Sequence, residues 1–280
     1  MRHFVKFEIK DGKGGKTVRD FLLDFKVSKK TVYLQEQFNL IYVNDERKKL
    51  NYQLKKGDIL SFKLVNLDKK VVPFDGPVDI IYEDDDIVVV NKPEKLLIHE
   101  DGNTINTLTN RINHHFEKQG YNNPVLPAHR LDFETSGLVV FAKHFISLAY
   151  LSNEFEQNNI KREYVCLVDH HLKQQEGTIH EKIGKDRHSN KQMVLPSGKE
   201  ATTFYRVLDL FNDKSKLSVE ISSGRTHQIR VHLAYIGHPV IGDTLYGGSS
   251  AKRMMLHFKT IKFMHPRTKK QMVVSVDEPF

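Results

Sequence analysis

From residue 80 onward the chain is dominated by apolar runs of strand length, and the helical stretches between them do not alternate with them one for one. "DIIYEDDDIVVVNKP" (79–93) predicts two strands around an acidic turn, and "GLVVFAK" (137–143) a strand of the fully buried type. Further strands are predicted at "KREYVCLVD" (161–169), "EATTFYRVLDL" (200–210) and "SKLSVEIS" (215–222). Helical spacing runs through "TINTLTNRINHHFEKQG" (104–120), closed by Gly120, through 144–160, and through "THQIRVHLAYIG" (226–237), which ends at Gly237. Many strands with scattered helices and no strict βαβ repeat predict an α+β fold: a mixed, largely antiparallel sheet with flanking helices.

A smaller unit precedes that pattern. After "MRHFVKFEI" comes the Gly/Lys-rich turn "DGKGGK" (11–16), then two short helices at "TVRDFLLDF" (17–25) and "SKKTVYLQEQF" (28–38), the second with Ser28 as N-cap. "LIYVND" and "DILSFKLV" predict strands separated by the turn "KKGD" (55–58). The stretch "LDKKVVPFDGPVD" (67–79), with two prolines and a glycine, predicts a linker. The expected division is therefore a small α+β module over 1–66, a linker over 67–79 and a larger domain over 80–280.

Forty-three basic residues against thirty-five acidic ones give a formal charge of +8, which favours a polyanionic partner, nucleic acid before an anionic membrane. The single cysteine, Cys166, lies within the apolar "YVCLV". That excludes an intramolecular disulfide framework and a cysteine-based zinc cluster, and predicts a buried thiol. The first residues lack the apolar core of a signal peptide, and no segment approaches the ~18 apolar residues of a membrane helix. A cytoplasmic protein without membrane association is expected.

Fifteen histidines invite a metal reading, but HExxH is absent and the adjacent pairs 114–115 and 170–171 point their side chains in different directions. No metal site is expected. GxxxxGK[ST] and GxSxG are also missing. There remains "HRLDFETSG" (129–137), where Asp132 either accepts hydrogen bonds from Thr135 or Ser136 in a local turn or is a reactive carboxylate. Further along, "SSGRTHQIRVHLAYIGHPVIGDTLYG" (222–247) carries Arg225, His227, Arg230 and His232, with His227 and Arg230 on one helical face. Residues 251–270 hold seven Lys/Arg, two phenylalanines and no acid, a composition that suits either a solvated face or an RNA contact.

Taken together, these motifs resemble the RluA-type pseudouridine synthases over most of residues 80–270. The resemblance rests on "HRLDFETSG", "KREYVCLV", "GRTHQIRVHLAYIGHPVIGDTLYG" and "MLHFKTIKFMHP", in that order. The module over 1–66 resembles, more loosely, the αL RNA-binding domain that often precedes this catalytic domain, with Lys29 and Lys30 where arginines are common. Asp169 stands where glycine is frequent, and Phe258 where alanine is frequent.

The resemblance implies isomerisation of uridine to pseudouridine in structured RNA, without cofactor or metal, by a monomer that flips the target base out of its stack. Large-subunit ribosomal RNA is the expected substrate, with transfer RNA second. It implies catalytic roles for Asp132, Tyr164 and Arg230. Asp132 either attacks the ribose anomeric carbon or the ring, or removes the ribose 2′ proton; Arg230 is its ion-pair partner. Tyr164 stacks on the uracil and helps remove the C5 proton, and Leu256 packs on the other face. Arg130 fills the gap left by the flipped nucleotide or contacts a phosphate, and Lys55 and Lys56 bind RNA backbone. His129 is expected to be structural. Two rival readings are an RNA-binding protein without turnover and a glycosidase using Glu134 as second carboxylate.

Overall fold

The computed structural model describes residues 4–10, 15–64, 71–121, 123–187, 189 and 191–280. Most of the turn at 11–16 and the start of the expected linker, up to residue 70, lie outside the described residues. Near the N-terminus, helices α1 (Val18–Asp24) and α2 (Lys29–Gln37) begin at Thr17 and Ser28, whose hydroxyls accept backbone N–H groups three residues on. They pack on a four-stranded sheet of β1 (Phe4–Glu8), β2 (Ile41–Val43), β3 (Glu46–Arg47) and β4 (Ile59–Lys63), ordered β1-β4-β2-β3.

The second sheet has ten strands. They are β5 (Asp79–Glu83), β6 (Ile87–Lys92), β7 (Leu126–Pro127), β8 (Ser136–Ala142), β9 (Lys161–Asp169) and β10 (Glu176–His180) and, beyond a separate ribbon of β11 (Ile183–Lys185) and β12 (Gln192–Val194), β13 (Thr202–Phe211), β14 (Lys214–Ile221), β15 (Leu256–Met264) and β16 (Gln271–Ser275). The order is β10-β13-β14-β9-β15-β8-β6-β5, with β7 on β8 and β16 on β15. Of its pairings only β15 with β8 is parallel, so the sheet is mixed and largely antiparallel, as expected for this α+β chain. Helices α3 (Leu108–Lys118), α4 (Phe145–Glu156) and α5 (Gln228–Tyr235) flank it. Among the described residues no helix is long and apolar enough to cross a membrane.

The most central of the strands that the sequence pattern did not reveal is β15. The basic run 251–270 contains β15, which lies between β9 and β8 near the middle of the sheet. Its Leu256, His257, Phe258, Ile261 and Phe263 are buried, while Lys259 turns aside to pair with Glu278 at 2.7 Å. The close approach of β15 to β8 depends on Gly137, where φ is +118° and a side chain would collide with the Phe258 backbone.

The two sheets meet along a seam. Ile146 of α4 is fully buried within the core of the small sheet, with Phe145 and Tyr150 packed beside it. Arg267 lays its guanidinium 4.2 Å from the centre of the Phe7 ring, donates to the Lys6 carbonyl and forks onto Asp86 at 2.6 and 2.8 Å. Lys269 stands 3.3 Å above the Tyr150 ring. Two of the seven basic residues of the run thus serve packing at the seam, Arg267 half-buried and Lys269 laid over a ring from the exposed side. Residues 71–78 run along α3, held by Asn110 Nδ2 on the Val72 carbonyl (2.7 Å) and by the Phe74 N–H on the Asn110 carbonyl (3.1 Å).

Candidate active site

Asp132 lies in the turn that joins β7 to β8. The Thr135 N–H closes that turn on the Asp132 backbone carbonyl at 3.2 Å, so the carboxylate is not spent on its own loop. It faces a cavity of about 420 Å³ whose lining includes Arg130, Tyr164, His227, Arg230 and Leu256. Nη1 of Arg230 lies 3.4 Å from Oδ2 of Asp132, and Nε2 of His227 lies 3.8 Å from the same oxygen. His227, the residue just before α5, and Arg230 in its first turn thus both reach the carboxylate.

The principal partner of Arg230 is one the sequence reading missed. Nε and Nη2 fork onto Asp243, which is fully buried, at 2.6 and 2.8 Å. Burial works against the Arg230 charge, but the hydrogen bonds and charge of Asp243 outweigh it and hold the guanidinium above its ordinary pKa. Asp243 locks Arg230 in place, leaving Nη1 for Asp132. Glu134 turns toward the same guanidinium at 3.9 Å and is 43% exposed. The acid in "IGDTLYG" was visible, but nothing local tied it to Arg230.

His227 begins α5 in the left-handed region (φ 56°), a conformation that costs a β-carbon-bearing residue strain and that clusters at functional sites. Its Nδ1 is 2.8 Å from the Tyr246 hydroxyl, which in turn accepts the Gln192 N–H at 3.1 Å. Burial lowers the pKa of His227, with Asp132 opposing the shift. Donation from the Tyr246 hydroxyl to Nδ1 would leave the ring's own proton on Nε2, the nitrogen nearer Asp132. His232, by contrast, is buried between Thr203 and the Glu181 carbonyl, away from the cavity.

Tyr164 and Leu256 come from neighbouring strands. In the β9–β15 register Leu256 faces Cys166 and Phe258 faces Tyr164, so the Tyr164 ring stacks on Phe258 at 4.5 Å and 15°. One face of the tyrosine is covered by the residue that departs from the family pattern. Burial pushes the Tyr164 hydroxyl well above its ordinary range; Arg162 opposes that shift and Asp132 adds to it. Cys166 is buried, as expected. His129 packs on Phe155 (4.4 Å) and accepts the Val140 N–H (3.1 Å); burial, then the Arg162 charge, push it down to about 3, a neutral structural ring. Arg130 is exposed at the cavity. Lys55 and Lys56 are not among its lining residues: they sit on the exposed turn before β4.

The cavity thus places one carboxylate between an anchored guanidinium and an imidazole, with a buried tyrosine on its wall. A sequence profile of the RNA pseudouridylate synthases matches residues 86–235. The chain is 39% identical to the uncharacterized RNA pseudouridine synthase YhcT of Bacillus subtilis (strain 168) over 263 residues, covering 91% of this chain and 86% of that one. It is 36% identical to the ribosomal large subunit pseudouridine synthase D of Vibrio parahaemolyticus over 214 residues, 69% of this chain and 65% of the relative. Among solved structures, human RNA pseudouridylate synthase domain containing 1 superposes with a TM-score of 0.63 at 28% identity, covering 73% of this chain and 84% of that one. The chain belongs to the RNA pseudouridylate synthase family. It is an enzyme that isomerises uridine to pseudouridine in RNA.

Proposed function

We propose that the substrate is large-subunit ribosomal RNA and that Asp132 is the reacting group. The observation that carries the second statement is the Asp132 carboxylate itself, released from its own turn and facing the cavity beside Arg230 at 3.4 Å. The first is supported by the name of the Vibrio relative. The target uridine is flipped into the cavity, with Arg130 at the mouth filling its place in the stack. Leu256 and the free face of Tyr164 hold the uracil. Asp132 then attacks the sugar or the ring, or takes the ribose 2′ proton. The C1′–N1 bond breaks, the base turns, a C1′–C5 bond forms, and the C5 proton ends on N1, so no oxidant or phosphoryl donor is needed. Because burial keeps the Tyr164 hydroxyl neutral, it helps by relaying a proton, accepting one as it passes its own on.

Residues 1–66 act as an RNA-binding module joined by 67–79 to a catalytic domain over 80–280, in a cytoplasmic monomer. Lys55 and Lys56 on its exposed turn contact RNA backbone. The test is to incubate the purified protein with total RNA and map pseudouridines chemically. New sites in large-subunit RNA, absent with Asp132→Asn, are expected. Sites confined to transfer RNA overturn the substrate assignment, and sites made equally by the Asn variant overturn that of Asp132.

A further inference from the structure

Four lysine or arginine side chains are buried among the described residues: Lys92, Lys143, Arg162 and Arg230. Three of them are well partnered. Lys92 donates to three backbone carbonyls between 2.9 and 3.2 Å, Lys143 to Glu83 (2.8 Å) and the Asp84 carbonyl (2.6 Å), and Arg230 forks onto Asp243. Arg162 is the exception. It is 7% exposed, yet its polar contact among the described residues is one hydrogen bond, from Nη2 to the Asn158 amide oxygen at 3.3 Å. Its Nε is buried without a partner, and the Phe155 ring lies 6.0 Å away. A buried guanidinium lacking a counter-charge is costly, and hydrogen bonds left unmade add to the cost.

Arg162 lines the same cavity as Asp132. It lies on β9 two residues before Tyr164, on the same face of the strand. Gly224 leaves room for it, since a Cβ there would stand 3.0 Å from Nη1. The cavity lining is also lopsided in charge, with Arg130, Arg162, Arg225 and Arg230 against Asp132 and Glu156. Arg130 is exposed and Arg225 largely so, hence solvated; Arg162 is the arginine that awaits an anion.

We propose that Arg162 is the binding site for the phosphate of the flipped nucleotide itself. The inference rests on the reading of the cavity as the uridine site. Two residues along a strand span about 7 Å, comparable with the reach from a uracil ring to its own phosphate. A base held at Tyr164 therefore brings its phosphate to the guanidinium. Arginine suits the task because its planar fork matches phosphate oxygens. Asn158, oriented by its contact with Nη2, keeps the guanidinium aimed into the cavity.

The test uses the full chain, with uridine, uridine 5′-monophosphate, uridine 3′-monophosphate and inorganic phosphate as probes, titrated by calorimetry or protein NMR. One monophosphate should bind the wild type about tenfold more tightly than uridine, the worth of one charged hydrogen bond. Arg162→Gln should remove that advantage and leave uridine affinity unchanged, and Arg162→Lys should retain part of it. Inorganic phosphate should compete with the monophosphate in the wild type. The proposal is overturned if no monophosphate outbinds uridine, if the advantage survives in Arg162→Gln, or if that variant weakens uridine and monophosphate equally. Thermal melting of both variants separates a binding loss from misfolding. Pseudouridine formation by the wild type is scored independently, so a failed function assignment is distinguishable from a failed phosphate site.

Discussion

The seam between the two sheets and the cavity around Asp132 are built from the same residue types, but their charges are partnered differently. At the seam, Asp84 accepts from the backbone N–H groups of Asp86 and Ile87, from the Tyr82 hydroxyl and from His265, all between 2.8 and 2.9 Å. Asp86 accepts from His144 at 2.7 Å and twice from Arg267. Asp84, Asp86 and His265 are close enough to hold a metal ion, but the Arg267 guanidinium already supplies the positive charge at Asp86. In the cavity, among the described residues, the charged partners of the Asp132 carboxylate stand at 3.4 and 3.8 Å, and Arg162 has an orphaned Nε. Saturated charges hold two units together; unsaturated ones are available to a substrate.

The largest test of that contrast is Asp132→Asn. Isomerisation should fall by at least ~10³-fold, because size is kept while the charge that either route needs is removed, and RNA affinity should stay within a few-fold. Single-turnover assays on RNA check it. A variant with near-wild-type turnover would mean that Asp132 is as structural as Asp86.

Next in size is Arg267→Met, which leaves Asp86 facing His144 alone. The expected loss of stability is about 2–3 kcal/mol, below the ~3–5 kcal/mol of a fully buried pair because the Arg267 side chain is 30% exposed. Urea unfolding measures it, with turnover per folded molecule unchanged. A loss of turnover without a loss of stability would place the seam in the catalytic machinery and break the contrast.

Acidification supplies a test of a different kind. His129 is pushed down to about 3 and His257 to about 4, in both cases chiefly by burial. Such groups contribute fully to stability above the ordinary histidine pKa of ~6.5. Below it the unfolded chain takes up protons that the folded chain refuses, so stability declines toward pH 4. Glu278 adds a second phase: burial would raise it, but hydrogen bonds from Lys216 and Lys259 bring it down to about 2. Its contribution is present above the ordinary glutamate value and lost as pH falls toward 2. Thermal melts from pH 7 to 2 should show both declines; a flat profile between 7 and 4 would mean that these rings titrate as freely as exposed ones.

The sequence was most readable where structure is set locally. Ser28 caps α2 and Gly120 follows α3, because caps need only their near neighbours. Asp132, Tyr164, Arg230, Leu256 and Arg130 were found through motifs and do line one cavity. What escaped depends on long-range contacts. β15 fitted a solvated face or an RNA contact because Lys259 and Lys262 alternate with buried positions, and its central place in the sheet comes from pairing with β8 and β9. β11 and β12 are three residues each and too polar to announce strands. Asp243 and Arg162 gained their meaning only from what the fold places beside them, or fails to place there.

The smallest expected effect concerns the surface by which the N-terminal module meets RNA, and it sets cations at the seam against cations on an exposed turn. Arg267 and Lys269 contact rings at the seam, and two sets of lysines on the module are compared with them. Lys55 and Lys56 lie on the exposed turn before β4, whereas Lys26, Lys30 and Lys63 line a cleft of about 570 Å³ between α2 and α4. Each phosphate neutralised contributes about −0.7 to the slope of log affinity against log salt for single-stranded RNA. If RNA crosses the turn, Lys55→Ala with Lys56→Ala should flatten the slope by up to about 1.4, with the chemical step at saturating RNA unchanged. Lys26→Ala with Lys30→Ala should then leave it nearly intact. The reverse pattern would move the RNA path into the cleft beside α4 and would overturn the assignment of Lys55 and Lys56. A slope unmoved by either pair would leave those four lysines out of the interface, and the contact that the module makes with Ile146 and Phe145 of α4 would point to a bracing role instead.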